Sequence, residues 1–134
     1  MSQENVEIVR GSFDGWNRGD FDAWVESSHP EIEWSSEVTM RMEGSETVFR
    51  GRDGLRKYWD EWHSVWEVTI EVFEMRDLGD VVLALGRVRT RGDASGIDIE
   101  RPVSYVFEFE GALARRVRAY LDPQEALEAV RLSE

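Results

Sequence analysis

Residues 68–92 read VTIEVFEMRDLGDVVLALGRVRTRG, and the fold turns on how this stretch is read. Val68, Ile70, Val72 and Glu74 alternate with Thr69, Glu71 and Phe73, the two-residue period of a strand that buries one face. Asp77–Asp80 then supplies turn chemistry with Gly79 inside it, and Val81–Arg91 runs on as a second strand. Strands joined by so short a turn pair antiparallel. A third strand is expected from Ile97 or Ile99 to Phe109, after a turn at Gly92–Gly96 that holds Asp93 and Ser95. Glu110-Gly111 turns it into a last strand ending near Leu121. The second half of the chain is therefore an antiparallel meander.

The first half has a different period. Ser2 is the N-cap candidate of a helix on which Val6, Val9, Phe13 and Trp16 recur at helical spacing, with Ile8 widening the stripe. Gly19 suits a left-handed helix end, and Asp20 suits the cap of a short second helix carrying Phe21, Trp24 and Val25. That helix should stop before Pro30, because the residue before proline disfavours helical dihedrals. From Glu31 the period is two, with Ile32, Trp34 and Ser36 on one face. Residues 37–50 read as an irregular hairpin or mobile loop around Gly44. A third helix opens near Arg52-Asp53 and carries Leu55, Tyr58 or Trp59, Trp62, and Val65 or Trp66. Asp122-Pro123 ends the last strand and starts a terminal helix, Pro123 at its first position and Ala126, Leu127 and Val130 on its apolar side. Helices grouped on one side of a meander describe an α+β fold, a single domain over residues 1–134.

Composition removes several classes of function. The chain has 28 acidic and 16 basic side chains, a formal net charge of -12, which repels a phosphate backbone and argues against nucleic acid as a partner. It has no cysteine, so disulfides and thiolate metal sites are excluded. No His-x-x-x-His or clustered Asp/His spacing occurs, and neither a metal nor another cofactor is expected. The opening MSQENVEIVR is not a signal peptide, and no stretch approaches the ~18–20 apolar residues of a membrane span. A cytoplasmic protein with no membrane partner is expected.

All six tryptophans lie in the first half, which suggests helices with bulky aromatic surface laid over a sheet that adds a few polar groups. Such a pairing can enclose a small apolar ligand. Trp24 and Phe21 read as packing, and Trp59 and Trp66 sit off the main stripe as rim or partner contacts. Trp16, Trp34, Tyr58 and Trp62 read as the walls of a lined cavity. His63 reads as a surface or helix-end residue and His29 as a loop residue. On the third long strand Arg101, Val103, Tyr105, Phe107 and Phe109 share a face, which should be interior and bring Tyr105 to the pocket. On the last strand Arg116, Arg118, Tyr120 and Asp122 oppose Val117, Ala119 and Leu121. Facing inward, the polar set makes a charged pocket wall; facing outward, it belongs to a dimer surface or to solvent.

The order of elements, with particular motifs, resembles the SnoaL-like polyketide cyclase group of the NTF2-like superfamily. The motifs are Trp16-Asn17-Arg18-Gly19-Asp20, His29-Pro30-Glu31-Ile32-Glu33-Trp34, Phe49-Arg50-Gly51-Arg52-Asp53-Gly54-Leu55, and Arg118-Ala119-Tyr120-Leu121-Asp122 followed by Glu125-Ala126-Leu127-Glu128-Ala129. The resemblance implies a cone: a curved antiparallel sheet wrapped around three N-terminal-half helices, a short C-terminal helix, a pocket at the open end and a homodimer through the outer face of the sheet. It also implies a range of activities, since one fold hosts many. The family's ketosteroid isomerases need a carboxylate base, yet their catalytic positions fall near Ser12, Ser35 and Tyr105, and serine cannot be that base. Of the Asp-Arg-Asp arrangement of its epoxide hydrolases, Arg118 and Asp122 supply only part. Its cyclases use a histidine and an aspartate near the last strands, where this chain has Tyr105 in roughly the histidine's place.

Two expectations follow. One is a protein that binds a small apolar or aromatic molecule against Trp16, Trp34, Tyr58, Trp62 and Tyr105, with Arg118 and Tyr120 reaching a polar group of the ligand. If it is an enzyme, Asp122 would be the base and Tyr105 or Tyr120 the donor of a cofactor-independent isomerisation, cyclisation or dehydration. The other is a binding or dimerisation module without turnover.

Overall fold

The two-residue periods become a six-stranded sheet, with the helices packed mainly on one side of it. The computed structural model describes residues 2–36, 48–64, 66–92 and 98–133. The elements are α1 (Ser2–Arg18), α2 (Phe21–Val25), β1 (Ser28–Ser36), β2 (Val48–Arg50), α3 (Gly51–His63), β3 (Trp66–Asp77), β4 (Val81–Gly92), β5 (Asp98–Glu110), β6 (Leu113–Tyr120) and α4 (Pro123–Ser133). The strand order is β2-β1-β6-β5-β4-β3, a curved sheet that does not close. The expected α+β, NTF2-like arrangement is present. One pair departs from the antiparallel expectation: β1 lies parallel to β6. The first strand is reached from α2 and the last from the meander, so both run the same way when they meet.

Local chemistry accounts for most boundaries. Gly19 takes a φ of 74°, a region closed to most side chains, and ends α1. Asp20 accepts from the Ala23 N–H at 3.1 Å and so caps α2. The first helix already includes Ser2, so Ser2 is not outside it as a cap. Pro30 lies within β1, which starts at Ser28, in the stretch where the pairing with β6 shifts register and leaves proline's missing donor without consequence. Trp66 is the first residue of β3 and not the end of the third helix. Of the loop expected at 37–50, residues 37–47 fall outside the described residues, as do residues 93–96 of the turn expected at Gly92–Gly96; residues 48–50 pair with β1 as a strand.

Alternation sorts the core into two parts. Ile32, Trp34, Val68, Ile70, Val103, Tyr105, Phe107 and Val117 are buried on the face that α1, α2 and α3 cover. On the opposite face Leu83 and Val106 are buried under Ala126 and Val130 of α4, so the terminal helix packs behind the sheet. Each large side chain so buried contributes roughly 1.5–3 kcal/mol. β3 is an edge strand, and α1 occupies part of its free edge. The Asn17 side chain donates to the Ile70 carbonyl and accepts the Ile70 N–H, both at 2.8 Å, and the Trp16 indole donates to the Val68 carbonyl at 3.2 Å.

β3 is bent where Phe73 is inserted between Val72, which pairs with Gly86, and Glu74, which pairs with Leu85. Opposite the bulge only glycine fits, since a Cβ on Gly86 would collide with the Glu71 carbonyl oxygen. Gly86→Ala should therefore lower the free energy of unfolding in urea by about 2 kcal/mol or more. Gly11→Ala, in a helix with nothing within 4 Å of the new Cβ, should raise it by roughly 0.5–1 kcal/mol. Equal effects at the two positions would contradict the steric reading of the bulge.

Candidate functional site

Four elements bring five aromatic rings to one point beneath the sheet. Trp16 comes from the last turn of α1, Trp34 from β1, Tyr58 and Trp62 from successive turns of α3, and Tyr105 from β5. They surround one cavity, closed on its remaining side by Val68 and Ile70 of β3 and Val88 of β4. Ring centroids lie 5.4 Å apart for Trp34 and Tyr58, 5.8 Å for Trp16 and Tyr58, and 6.1 Å for Trp34 and Tyr105. These are ordinary spacings for packed aromatic pairs. The space they leave is about 20 Å³, room for one water-sized body.

The polar groups of this cavity are tyrosine hydroxyls, which donate and accept, and indole N–H groups, which only donate. Burial pushes the Tyr58 hydroxyl up to about 12; Ser36 and the Trp34 and Trp62 indoles oppose the rise by hydrogen bonding to it, while Glu61 adds to it. Burial likewise raises Tyr105 well above the usual tyrosine value, with Tyr58 as a second cause. Both tyrosines are thus neutral, proton-bearing groups at physiological pH. The Trp34 and Trp62 indole N–H groups have the Tyr58 hydroxyl oxygen as their acceptor, in poorly aligned hydrogen bonds. Among the described residues no carboxylate, imidazole, lysine or arginine lines the cavity.

The other expected site residues lie elsewhere. Tyr105 pairs with Ala119, and Val106 with Arg118, so strand alternation puts Arg118 and Tyr120 on the face away from Tyr105. Arg118 is within 3.2 Å of Glu108 on that outer face, and Arg116 is 3.7 Å from the same carboxylate. Arg118 matches Glu108 in charge without hydrogen-bond alignment. Tyr120 packs with Leu83, Val106, Ala126 and Val130. Asp122 is exposed and accepts the Gln124 N–H at 2.9 Å, which makes it the cap of α4 and not a base beside Tyr105. The expectation of a charged pocket wall is corrected on these three residues.

Trp59 also differs from its expected place at a rim. It is buried, 5.1 Å from Trp16 and 5.3 Å from Trp24, because α2 folds back over that side of α3. His63 ends α3 with its ring stacked on Trp59 at 3.9 Å and 4.4 Å from Trp16. Val68, Ile70 and Val88 were readable as strand-face residues but not as cavity walls, since nothing local says which helix covers them. Among the described residues no group of three His, Asp or Glu is placed to hold a metal, and no helix is long and apolar enough to cross a membrane.

A second, wider cleft of about 440 Å³ lies between α1, α2, β1 and β6, with Glu7, Asp14, Arg18 and Glu26 at its mouth and Ile32, Leu55, Phe107, Val117 and one side of Trp34 inside. Its greater size does not make it the better site. Its charged groups are helix-surface side chains, whereas the aromatic cavity holds two buried tyrosine hydroxyls.

A half-open α+β sheet with helices on its concave side and an aromatic cavity between them defines an NTF2-like protein. Residues 9–117 match the SnoaL-like domain, and the chain belongs to that family. No curated protein matches it in sequence. Among solved structures it is similar to an NTF2-like protein of unknown function from Burkholderia pseudomallei K96243, at 22% identity over 98% of each chain with a TM-score of 0.81. It is also similar to TerC co-crystallized with polyporic acid, at 19% identity over 93% of this chain and 96% of that one, TM-score 0.80. A putative SnoaL-like polyketide cyclase from Jannaschia sp. CCS1 aligns at 20% identity over 96% of this chain and 92% of that one, TM-score 0.76. At these identities the likeness is one of fold.

Raised tyrosine pKa values have a consequence for stability. Tyr58 and Tyr105 ionise in the unfolded chain near the ordinary 10.0 but only at higher pH in the folded one. The Tyr58 contribution is complete below pH 10 and is lost as pH rises towards about 12, over which the unfolding free energy should fall by about 1.4 kcal/mol per pH unit. Ionisation of Tyr105 in the unfolded chain should add to that fall. Tyr58→Phe and Tyr105→Phe should each flatten the slope, measured by denaturation at a series of pH values.

Proposed function

We infer that this protein binds a small apolar or aromatic molecule in the cavity formed by Trp16, Trp34, Tyr58, Trp62 and Tyr105, and that it does so without turning it over. The observation that carries this reading is an aromatic enclosure with neutral hydroxyl and indole groups and, among the described residues, no base in its lining. An isomerase, cyclase or dehydratase of the cofactor-independent kind needs a carboxylate or imidazole beside the ligand to take a proton. Asp122 caps α4, and the described lining supplies no substitute. TerC, a structural relative, was co-crystallized with polyporic acid, which supports an organic molecule as occupant.

A larger side chain at the back of the cavity tests the site. Val88→Phe should lower the affinity for Nile red, an apolar fluorescent probe, by about tenfold or more. Arg116→Ala, on the outer face, should leave it unchanged. Equal Nile red affinity in the Val88→Phe and natural proteins would remove the cavity as the site.

The family likeness also supports a homodimer through the outer face of the sheet. The part of that face on β3, β4 and β5 is crossed by the pairs Arg87–Glu71 and Arg89–Asp98 and carries the exposed Phe73. Sedimentation at micromolar concentration should give a dimer, weakened by Phe73→Glu; a clean monomer would end the proposal.

A further inference from the structure

Helices α1 and α2 meet at Gly15 and then part. A Cβ on Gly15 would lie 2.6 Å from the Trp24 backbone nitrogen and 2.9 Å from the Ala23 carbonyl carbon, so the two backbones touch there. The Asp20 N–H donates to the Gly15 carbonyl at 2.8 Å, and the Ser12 hydroxyl donates to the Trp24 carbonyl at 3.0 Å, which pins the contact. One turn earlier on α1, a Cβ on Gly11 would meet nothing within 4 Å. The cleft of about 440 Å³ opens at this point, between α1 and the chain that leaves α2 for β1. The Ala114 N–H donates to the Ser27 carbonyl at 2.8 Å, which ties that chain to β6 and holds the second lip in place. Backbone contacts at fixed points thus build the cleft. Its volume falls within the roughly 300–1,000 Å³ of small-molecule sites.

Inside the cleft Leu55, Phe107 and Val117 are apolar and buried. At its mouth the carboxylates of Glu7, Asp14 and Glu26 face one cation, Arg18. Arg18 is matched by Asp20 at 3.5 Å, and Glu7 by Arg10 at 3.6 Å. Asp14 and Glu26 have no cationic partner among the described residues. We propose that the cleft is a second binding site, separate from the aromatic cavity, for an organic cation: an apolar ring or chain ending in a protonated amine. The body fills the space over Phe107 and Val117, and the ammonium stays at the mouth with Asp14 and Glu26. There the charge keeps part of its hydration, which avoids the cost of full burial. An anion is repelled by the same groups, and the chain's net charge of -12 adds a long-range pull on cations. A bare metal ion does not fit. Glu7 and Asp14 are two turns of α1 apart, and among the described residues no three acidic or histidine side chains converge to hold one. The exposed carboxylates that suit this cleft poorly to a neutral molecule make it selective for a cation.

Calorimetric titration with naphthylmethylammonium and with naphthylmethanol, which match in shape and differ in charge, tests the site. The ammonium should bind the natural protein about fivefold more tightly than the alcohol at low salt, and the ratio should shrink to about two or less in ~1 M salt. Asp14→Asn combined with Glu26→Gln, two exposed changes, should remove the preference at low salt. Gly11→Leu puts a side chain into the open space beside α1 and favours the helix. It should weaken ammonium binding about tenfold and leave Nile red in the aromatic cavity unaffected. Val88→Phe should do the reverse, weakening Nile red and not the ammonium. Equal affinity for ammonium and alcohol at low salt, or a preference that survives in the double variant, would overturn the proposal. So would ammonium binding that is kept in Gly11→Leu and lost in Val88→Phe, or no ammonium binding to the natural protein at all.

Discussion

The structure depends on how α1 is held to the edge of the sheet. Asn17 satisfies both backbone groups of Ile70, and Trp16 satisfies the carbonyl two residues earlier, so the helix takes the place of a missing strand along that part of β3. Exposed edges invite pairing with other chains, and a side-chain clamp is one way to occupy them. The same bonds fix the Trp16 ring. Trp24 and Trp59 pack edge-on against it at 5.0 and 5.1 Å, and Tyr58 lies 5.8 Å away. One helix–edge contact thereby sets the position of the first wall of the cavity and the packing behind it.

From that wall the character of the site follows. The rings are brought in by two helices and the inward faces of two strands, and Glu108, Arg116 and Arg118 fall on the reverse side by alternation. Glu108, Arg116 and Arg118 pair with one another behind the sheet. The concave face is left with aromatic surface, aliphatic walls and neutral hydroxyl and indole donors. Such a surface can hold an apolar body and orient an oxygen. Membership of the SnoaL-like family fits this fold and does not by itself assign a reaction, since activity resides in the residues placed at the site.

The helical stripes of α1 and α3, the Gly19-Asp20 junction and the periods of β1 and β3–β6 could all be read along the chain, because they are set by neighbours within a few residues. The five aromatic residues assigned to a cavity do meet around one. Trp59 was misplaced because its burial depends on α2, which is close to it only in space. Asp122 was open to a catalytic reading because a carboxylate before Pro123 is equally a helix cap, and only its bond to Gln124 decides between the two.

Sequence alone determined which residues share a strand face, where the helices begin and end, and that the aromatic side chains are concentrated in the first half. It could not determine which face of β6 looks towards the helices. Alternation divides Arg118 and Tyr120 from Val117 and Ala119 but carries no sign, and both sets can be buried when a sheet is covered on both sides. The tertiary structure supplied that sign through the pairing of Tyr105 with Ala119 and through α4 packing behind β4 and β5. It also made β1 parallel to β6, a contact between segments some eighty residues apart that no local period encodes. The cavity belongs to both levels: its rings are chosen by short-range pattern, and they meet only because distant elements close around them.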